Sequence, residues 1–200
     1  MTILLIIIIS YLIGSIQSGI LIGKIIYKTD VRQFGSKSSG ATNIQRTIGL
    51  KPGIFVLVLD IFKGFLPILF IEIFTEENIF GVMSCIFLVL GHCYPVFHKF
   101  NGGKGVATGF GSVVVLLPYI ALGIPIALPI IYKTRYVSLG AILGCIISIF
   151  LIILFVALEL LPSESLIILF VPLLIIYKHK QNIIRLIQKK ENKIFSWKKI

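Results

Sequence analysis

Acidic side chains are scarce in this chain: eight Asp and Glu in 200 residues, against 19 Lys and Arg, for a formal net charge of +11. Charged residues of either sign make up only 14%, while 57% are hydrophobic and the mean hydropathy is +1.03. An ordinary soluble domain is excluded, because a chain of this size could not bury such apolar content away from water. Cysteine is sparse too. Cys85, Cys93 and Cys145 form no CxxC pair and lie in or beside apolar runs, where small thiols serve as packing, so neither a disulfide nor a metal site is expected.

What is present is a series of long apolar runs. The first, 3–23, matches the ~20 residues needed to cross a bilayer. It lacks a basic start and a small-residue cleavage site, so it reads as a retained helix and not a signal peptide. Further runs occupy 53–74, 79–97, 136–158 and 163–177. Basic residues gather after the first run (Lys24 to Lys51), around Lys99 and Lys104, at Lys133 and Arg135, and in the tail from Lys178. The connectors 75–78 and 159–164 carry Glu76, Glu77, Glu159 and Glu164 and no basic residue. Cytoplasmic loops are the basic ones, so the positive charge reports orientation and gives no reason to expect nucleic acid. Residues 105–132 begin and end on the basic side and are divided by Pro118, which suits two short spans or a re-entrant hairpin. With two spans preferred, the expectation is an all-α integral membrane protein of seven transmembrane helices. The N-terminus is outside, the C-terminus is cytoplasmic, and 1–200 forms one membrane-embedded catalytic unit. Trp197, among Lys193, Lys198 and Lys199, reads as an interfacial anchor.

Four polar patches fall on the basic side. In "NGGKGVATGFG" (101–111), glycines close around Lys104 and run straight into an apolar helical segment, which makes an anion site at a helix N-terminus or a glycine hinge on a basic surface. The Walker pattern is not met, since Gly105 follows the lysine. In "FGSKSSGATNIQRTIG" (34–49), Ser39 reads as a cap and Gly49 as a stop for a short helix. Thr42, Asn43 and Arg46 share one face of that helix, with Ser36 in the preceding loop. This is a phosphate or carboxylate clamp, or an interfacial helix meeting lipid headgroups. The third patch places Ser138 and Arg135 at a helix mouth. In the fourth, His179 and Asn182 project with the apolar side of a tail helix, either capping neighbours or facing a polar site. Within a span, Asp60 and Lys63 are three residues apart and can neutralise one another, a pairing that marks function or fixes helix packing. His92 reads as a hydrogen-bonded packing group. The GxxxG spacings at Gly19–Gly23, Gly105–Gly109 and Gly140–Gly144 read as close helix packing.

No GxSxG elbow appears, and neither His92 nor His98 has an Asp five positions later, so a serine triad and the His-x4-Asp acyltransferase arrangement are both absent. In order and spacing, however, "FGSKSSGATNIQRTIG", "GHCYPVFHKFNGGKGVATGFG", "RYVSLGAI" and "HKQNIIRL" closely resemble the motifs of the bacterial acyl-phosphate-dependent glycerol-3-phosphate acyltransferases. "DIFKG" and "YLIGSI" resemble that family as well, so the likeness covers nearly the whole chain. The family commonly carries "GTE" where this chain has "KKE" at 189–191, and Asn where Ser38 stands.

The resemblance implies transfer of a fatty acyl group from acyl phosphate to the sn-1 hydroxyl of glycerol 3-phosphate, giving lysophosphatidic acid and phosphate on the cytoplasmic side of a bacterial inner membrane. No cofactor is implied. The partners are the lipid bilayer, the two substrates and a peripheral enzyme that makes acyl phosphate. Ser36, Arg46, Lys104, Ser138, His179 and Asn182 would hold glycerol 3-phosphate. Thr42, Asn43 and the backbone at Gly102, Gly103 and Gly105 would hold the acyl phosphate. Two alternatives stand beside it: the same acceptor with an acyl-CoA or acyl carrier protein donor, and a transporter of a phosphorylated metabolite.

Overall fold

A computed structural model describes residues 1–194; Trp197, Lys198 and Lys199 lie outside the described residues. Eleven α-helices and no strand occur among the described residues. Four helical segments are long and apolar enough to cross a membrane: 2–25, α4 (Leu50–Phe74), 78–98 containing α5 (Asn78–Cys93), and α9 (Val137–Ala157). A fifth candidate is bent by 51° at His179, where α10 (Phe170–Lys178) hands over to α11 (Lys180–Ile187). The expected helical stretch in 105–132 is divided into α6 (Val106–Leu116), α7 (Pro118–Ala121) and α8 (Gly123–Thr134). The first division falls where expected, since the proline ring cannot continue the preceding helix.

The first apolar run departs from a single unbroken helix. It splits into α1 (Thr2–Ser15) and α2 (Ser18–Ile25), with Gln17 extended between them at φ −100° and ψ 92°. The break is held from outside. Gln17 is 1% exposed; its amide donates to His92 O at 3.2 Å and accepts from Ser39 Oγ at 2.6 Å. Ile16 O, freed from the helical ladder, accepts from Lys63 Nζ at 2.8 Å. Ser39 is thereby diverted from the capping role expected of it: α3 (Ala41–Thr47) has Gly40 at its N-cap and no side-chain cap. Gly49 ends α3 as expected, its N–H returning to Ile44 O at 3.2 Å, and also begins α4.

The buried apolar core lies on α5, with Cys85, Leu88 and Val89 at its centre and α6, α9 and α10 around it. Helices α1 and α5 pack closely, as do α4 and α6, and α8 and α9. Small residues permit this. A Cβ on Gly64 would fall 2.0 Å from Thr108 O, and one on Gly111 would fall 2.1 Å from Ile61 O, so α4 and α6 touch backbone to backbone. Lipid-facing side chains such as Phe55, Phe62, Phe70 and Phe150 are exposed.

Candidate active site

The polar patches converge on one cavity of about 370 Å³. It lies between the α4/α6 pair and the α8/α9 pair, and its polar end is closed by α3, by α11 and by the segment that follows α11.

The first patch is organised by Asn43, which is 1% exposed. Its Nδ2 donates to Val31 O, Phe34 O and Ser38 O at 2.9, 3.2 and 2.8 Å, and its Oδ1 accepts from Ser36 N at 2.9 Å. Asn43 therefore knits the loop that carries Ser36, with both ends of its amide occupied. Thr42 and Arg46 sit beside it on the cavity wall. Arg46 Nη2 donates to Asn192 O at 2.7 Å, whereas its Nε is buried with no partner among the described residues. Burial pulls the guanidinium below its ordinary pKa, with Glu191 opposing the shift. A buried cationic donor without a partner, on a residue that lines a cavity, is an incomplete arrangement that an anion would complete.

In the second patch, Gly105 stands at the N-cap of α6 with φ 83°, a left-handed conformation that favours glycine. The turn brings Lys104 to the cavity, and Nζ donates to Asn182 Oδ1 at 2.5 Å. Burial lowers the Lys104 pKa to about 8; Arg185, Arg46 and Lys178 push the same way and Glu191 opposes them. Gly102 and Gly103 do not reach the cavity wall. They pack behind it on His92: a Cβ on Gly102 would fall 2.1 Å from His92 O, and one on Gly103 the same distance from His92 Nε2. Gly103 N also donates to His92 O at 3.0 Å.

The third and fourth patches meet through a residue the sequence reading left without a role. Glu191 is 7% exposed and accepts from Ser138 Oγ at 3.0 Å, Asn182 Nδ2 at 2.7 Å and Arg185 Nε at 2.8 Å. Its signals in the sequence are that it is the sole acidic residue of the basic tail 178–200 and that it keeps the Glu of the family's "GTE". His179 is 3% exposed; its Nδ1 donates to Ile175 O at 2.8 Å, so the unprotonated Nε2 is the ring's acceptor. Both His179 and Asn182 line the cavity.

Beneath the polar end lies the intramembrane pair. Lys63 Nζ meets Asp60 Oδ1 at 3.2 Å, His92 Nδ1 at 2.9 Å and Ile16 O at 2.8 Å, three acceptors for the three ammonium protons. Asp60 Oδ1 also accepts from Ser18 Oγ at 2.9 Å. Asp60 and His92 reach the cavity, so the network that ties Lys63 to α4, α5 and Ile16 O also floors the site through these two residues.

Ser36, Thr42, Asn43, Arg46, Lys104, Gly105, Ser138, His179 and Asn182 thus share one cavity, with Gly102 and Gly103 behind it. Two cations and a helix N-terminus at one end, and an apolar wall along the rest, suit an amphiphilic anion.

Residues 4–189 match the family model described as glycerol-3-phosphate acyltransferase. The chain is 40% identical to the glycerol-3-phosphate acyltransferase of Staphylococcus carnosus, over 97% of this chain and 98% of that one. It is 42% identical to that of Endomicrobium trichonymphae, over 98% of each. Among solved structures it is similar to PlsY, an integral membrane glycerol 3-phosphate acyltransferase, at 36% identity. The glycerol 3-phosphate form superposes with a TM-score of 0.86 over 96% of both chains. The lysophosphatidic acid form gives 0.83 over 96% of this chain and 95% of the other. A multi-pass helical membrane protein with an anion-holding cavity, matched along nearly its whole length, belongs to the PlsY-type family of membrane glycerol-3-phosphate acyltransferases.

Proposed function

We propose that this protein transfers a fatty acyl group from acyl phosphate to the sn-1 hydroxyl of glycerol 3-phosphate, releasing lysophosphatidic acid and inorganic phosphate. The observation that carries the reading is the buried, unpartnered Nε of Arg46 on the same cavity wall as Lys104. Two anionic phosphates are the chemistry that would satisfy both cations. Arg46 and Lys104 neutralise the acceptor's phosphate, with Ser36, Ser138, His179 and Asn182 around its glycerol. Thr42 and the turn at Gly105 receive the donor, while Asn43, Gly102 and Gly103 hold those loops in place. The hydroxyl oxygen attacks the acyl carbonyl carbon, the bond from that carbon to the bridging phosphate oxygen breaks, and the proton passes to an oxygen of the departing phosphate. Acyl phosphate is a mixed anhydride with a good leaving group, so positioning and charge neutralisation supply the catalysis.

In this reading the short helices in 105–132 complete seven spans within one membrane-embedded unit, N-terminus outside and C-terminus inside. The site opens at the cytoplasmic face of the inner membrane, where a peripheral acyl-phosphate-producing enzyme supplies the donor. The test is phosphate release from palmitoyl phosphate by purified protein, with and without glycerol 3-phosphate. Acyl-CoA and acyl carrier protein donors are offered separately, and labelled glycerol 3-phosphate is followed in liposomes. Turnover with palmitoyl phosphate alone among the donors supports the assignment. Turnover only with a thioester, or uptake of label without conversion to lipid, overturns it.

A further inference from the structure

His92 is a buried titratable group to which the transfer chemistry above gives no part. It is 4% exposed and lines the cavity. Its tautomer is dictated by its neighbours. Lys63 Nζ stands 2.9 Å from Nδ1, and an ammonium has only protons to offer, so Nδ1 carries the lone pair and Nε2 carries the hydrogen. Thr108 Oγ1, 3.3 Å from Nδ1, can donate to the same lone pair. No hydrogen bond engages Nε2 among the described residues, where the only sealed side-chain nitrogens or oxygens without a partner are Gln45 Nε2 and Arg46 Nε. The His92 Nε2 is thus unpartnered yet not sealed. It faces the bare Cα of Gly103, where a side chain would collide with it, one residue before Lys104. The level of this N–H in the site matters. The donor's phosphate belongs with Thr42 and the Gly105 turn at the polar end, and its alkyl chain along the apolar wall, so the reacting carbonyl lies where the two meet. The polar side chains beneath the polar end are Asp60 and His92. Ionised Asp60 offers only acceptors; His92 offers an N–H.

We propose that His92 is a further catalytic residue, whose neutral Nε2–H donates to the acyl carbonyl oxygen and stabilises the negative charge that develops there. As the glycerol oxygen forms its bond to the carbonyl carbon, the C=O π pair moves onto the carbonyl oxygen and the hydrogen bond strengthens. When that pair returns, the bond from carbon to the bridging phosphate oxygen breaks, and His92 keeps its proton throughout. Lys63 acts through His92, as the positioning residue that fixes the tautomer. The inference rests on the reading of this cavity as the acyl-transfer site.

The test uses two amides. His92→Gln sets its amide nitrogen near the place of Nε2, whereas His92→Asn sets its amide oxygen near the place of Nδ1 and keeps an acceptor for Lys63. A packing role ranks the Asn variant above the Gln variant; the donor role ranks them the other way. With palmitoyl phosphate and glycerol 3-phosphate in nanodiscs, His92→Asn should lower kcat by roughly 100-fold, the effect of losing one oxyanion donor, and His92→Gln by about tenfold or less. The KM for glycerol 3-phosphate should change little in either. Equal turnover of the two folded variants, or a faster Asn variant, overturns the role. A second measurement needs no variant: NMR of wild-type protein carrying isotope-labelled histidine, of which the chain has three. His92 should show Nδ1 unprotonated and Nε2 protonated. Its N–H proton should move downfield when palmitoyl phosphonate, a non-hydrolysable analogue that keeps the carbonyl, is bound. The Nδ1–H tautomer, or a resonance unmoved at saturating analogue, overturns the proposal. Wild-type protein that transfers acyl groups from no donor fails the acyl-transfer reading instead, and the His92 resonance still decides whether the contact to the carbonyl is made.

Discussion

Lys104 and Asn182, 78 residues apart, are joined by a 2.5 Å hydrogen bond from the ammonium to the amide oxygen. The other end of that amide donates to Glu191, which also receives Ser138 and Arg185, so lysine, amide and carboxylate form one relay across three of the polar patches. The cation is held ready at the cavity without a carboxylate in direct contact among the described residues.

Lys104→Ala removes that cation and should lower turnover by roughly 100-fold or more, as losing one transition-state donor does. Steady-state phosphate release, with a melting curve in the same detergent, checks it. Near-normal turnover in a folded variant would remove Lys104 from the catalytic machinery.

The pH dependence follows from the sign of the Lys104 shift. Its protonated form attracts phosphate, and with a pKa of about 8 the free enzyme loses that charge as pH rises through this value. kcat/KM should therefore fall above about pH 8, approaching tenfold per unit. Bound phosphate favours the ammonium, so the kcat profile should bend at higher pH. Lys104→Arg, whose guanidinium stays charged, should abolish the alkaline limb whatever its residual rate. An identical limb in that variant would assign the titration to another group.

Glu191→Ala leaves three donors, Ser138, Asn182 and Arg185, without their acceptor. The cost should be roughly 3 kcal/mol, in the range for breaking a buried charged pair. It should appear as a lower melting temperature together with a raised KM for glycerol 3-phosphate, because Asn182 is released. Glu191→Gln, which keeps an acceptor oxygen, should recover much of the stability. A Glu191→Ala protein that melts like wild type would contradict the relay.

Gly103→Ala puts a Cβ where His92 Nε2 already stands, so the loop must move and Lys104 with it. Overpacking of this kind costs about 1–3 kcal/mol. Transfer activity should drop well beyond what that loss of stability explains. Pairing it with His92→Ala, which vacates the space, distinguishes steric displacement from loss of a ligand-holding glycine: recovery to the level of His92→Ala alone indicates the former.

Asp60 and Lys63 give a further contrast. Asp60→Leu alone strands Lys63, 6% exposed, inside the membrane segment and should be strongly destabilising, by about 3–5 kcal/mol. Asp60→Leu/Lys63→Met removes both charges and should regain most of the stability while leaving Ile16 O unbonded. Equal melting of single and double variants would show that the ion pair is not the governing interaction.

The polar patches were legible because glycine, serine and cations cannot sit unnoticed among Ile, Leu and Phe, and charge bias placed them on one side. Their meeting in one cavity followed only from the fold. Glu191 was legible only through the family likeness, as the Glu that "KKE" shares with "GTE"; by itself a single carboxylate among lysines reads as solvated until Ser138 arrives from another segment. The break at Gln17 falls in the small and polar stretch "GSIQSG" (14–19), but the partners that hold it, Ser39, Lys63 and His92, are remote in the chain. Asn43 lines the cavity as expected of an amide beside an arginine, and its side chain makes four bonds within its own loop, which the sequence did not reveal.

The interrupted first span also bears on biogenesis. Ile16 O, Gln17 and Ser18 find their partners only on segments translated later, so a nascent chain halted before Lys63 would hold a bare Ile16 carbonyl and a Gln17 amide N–H without its acceptor, His92 O, within the first apolar run.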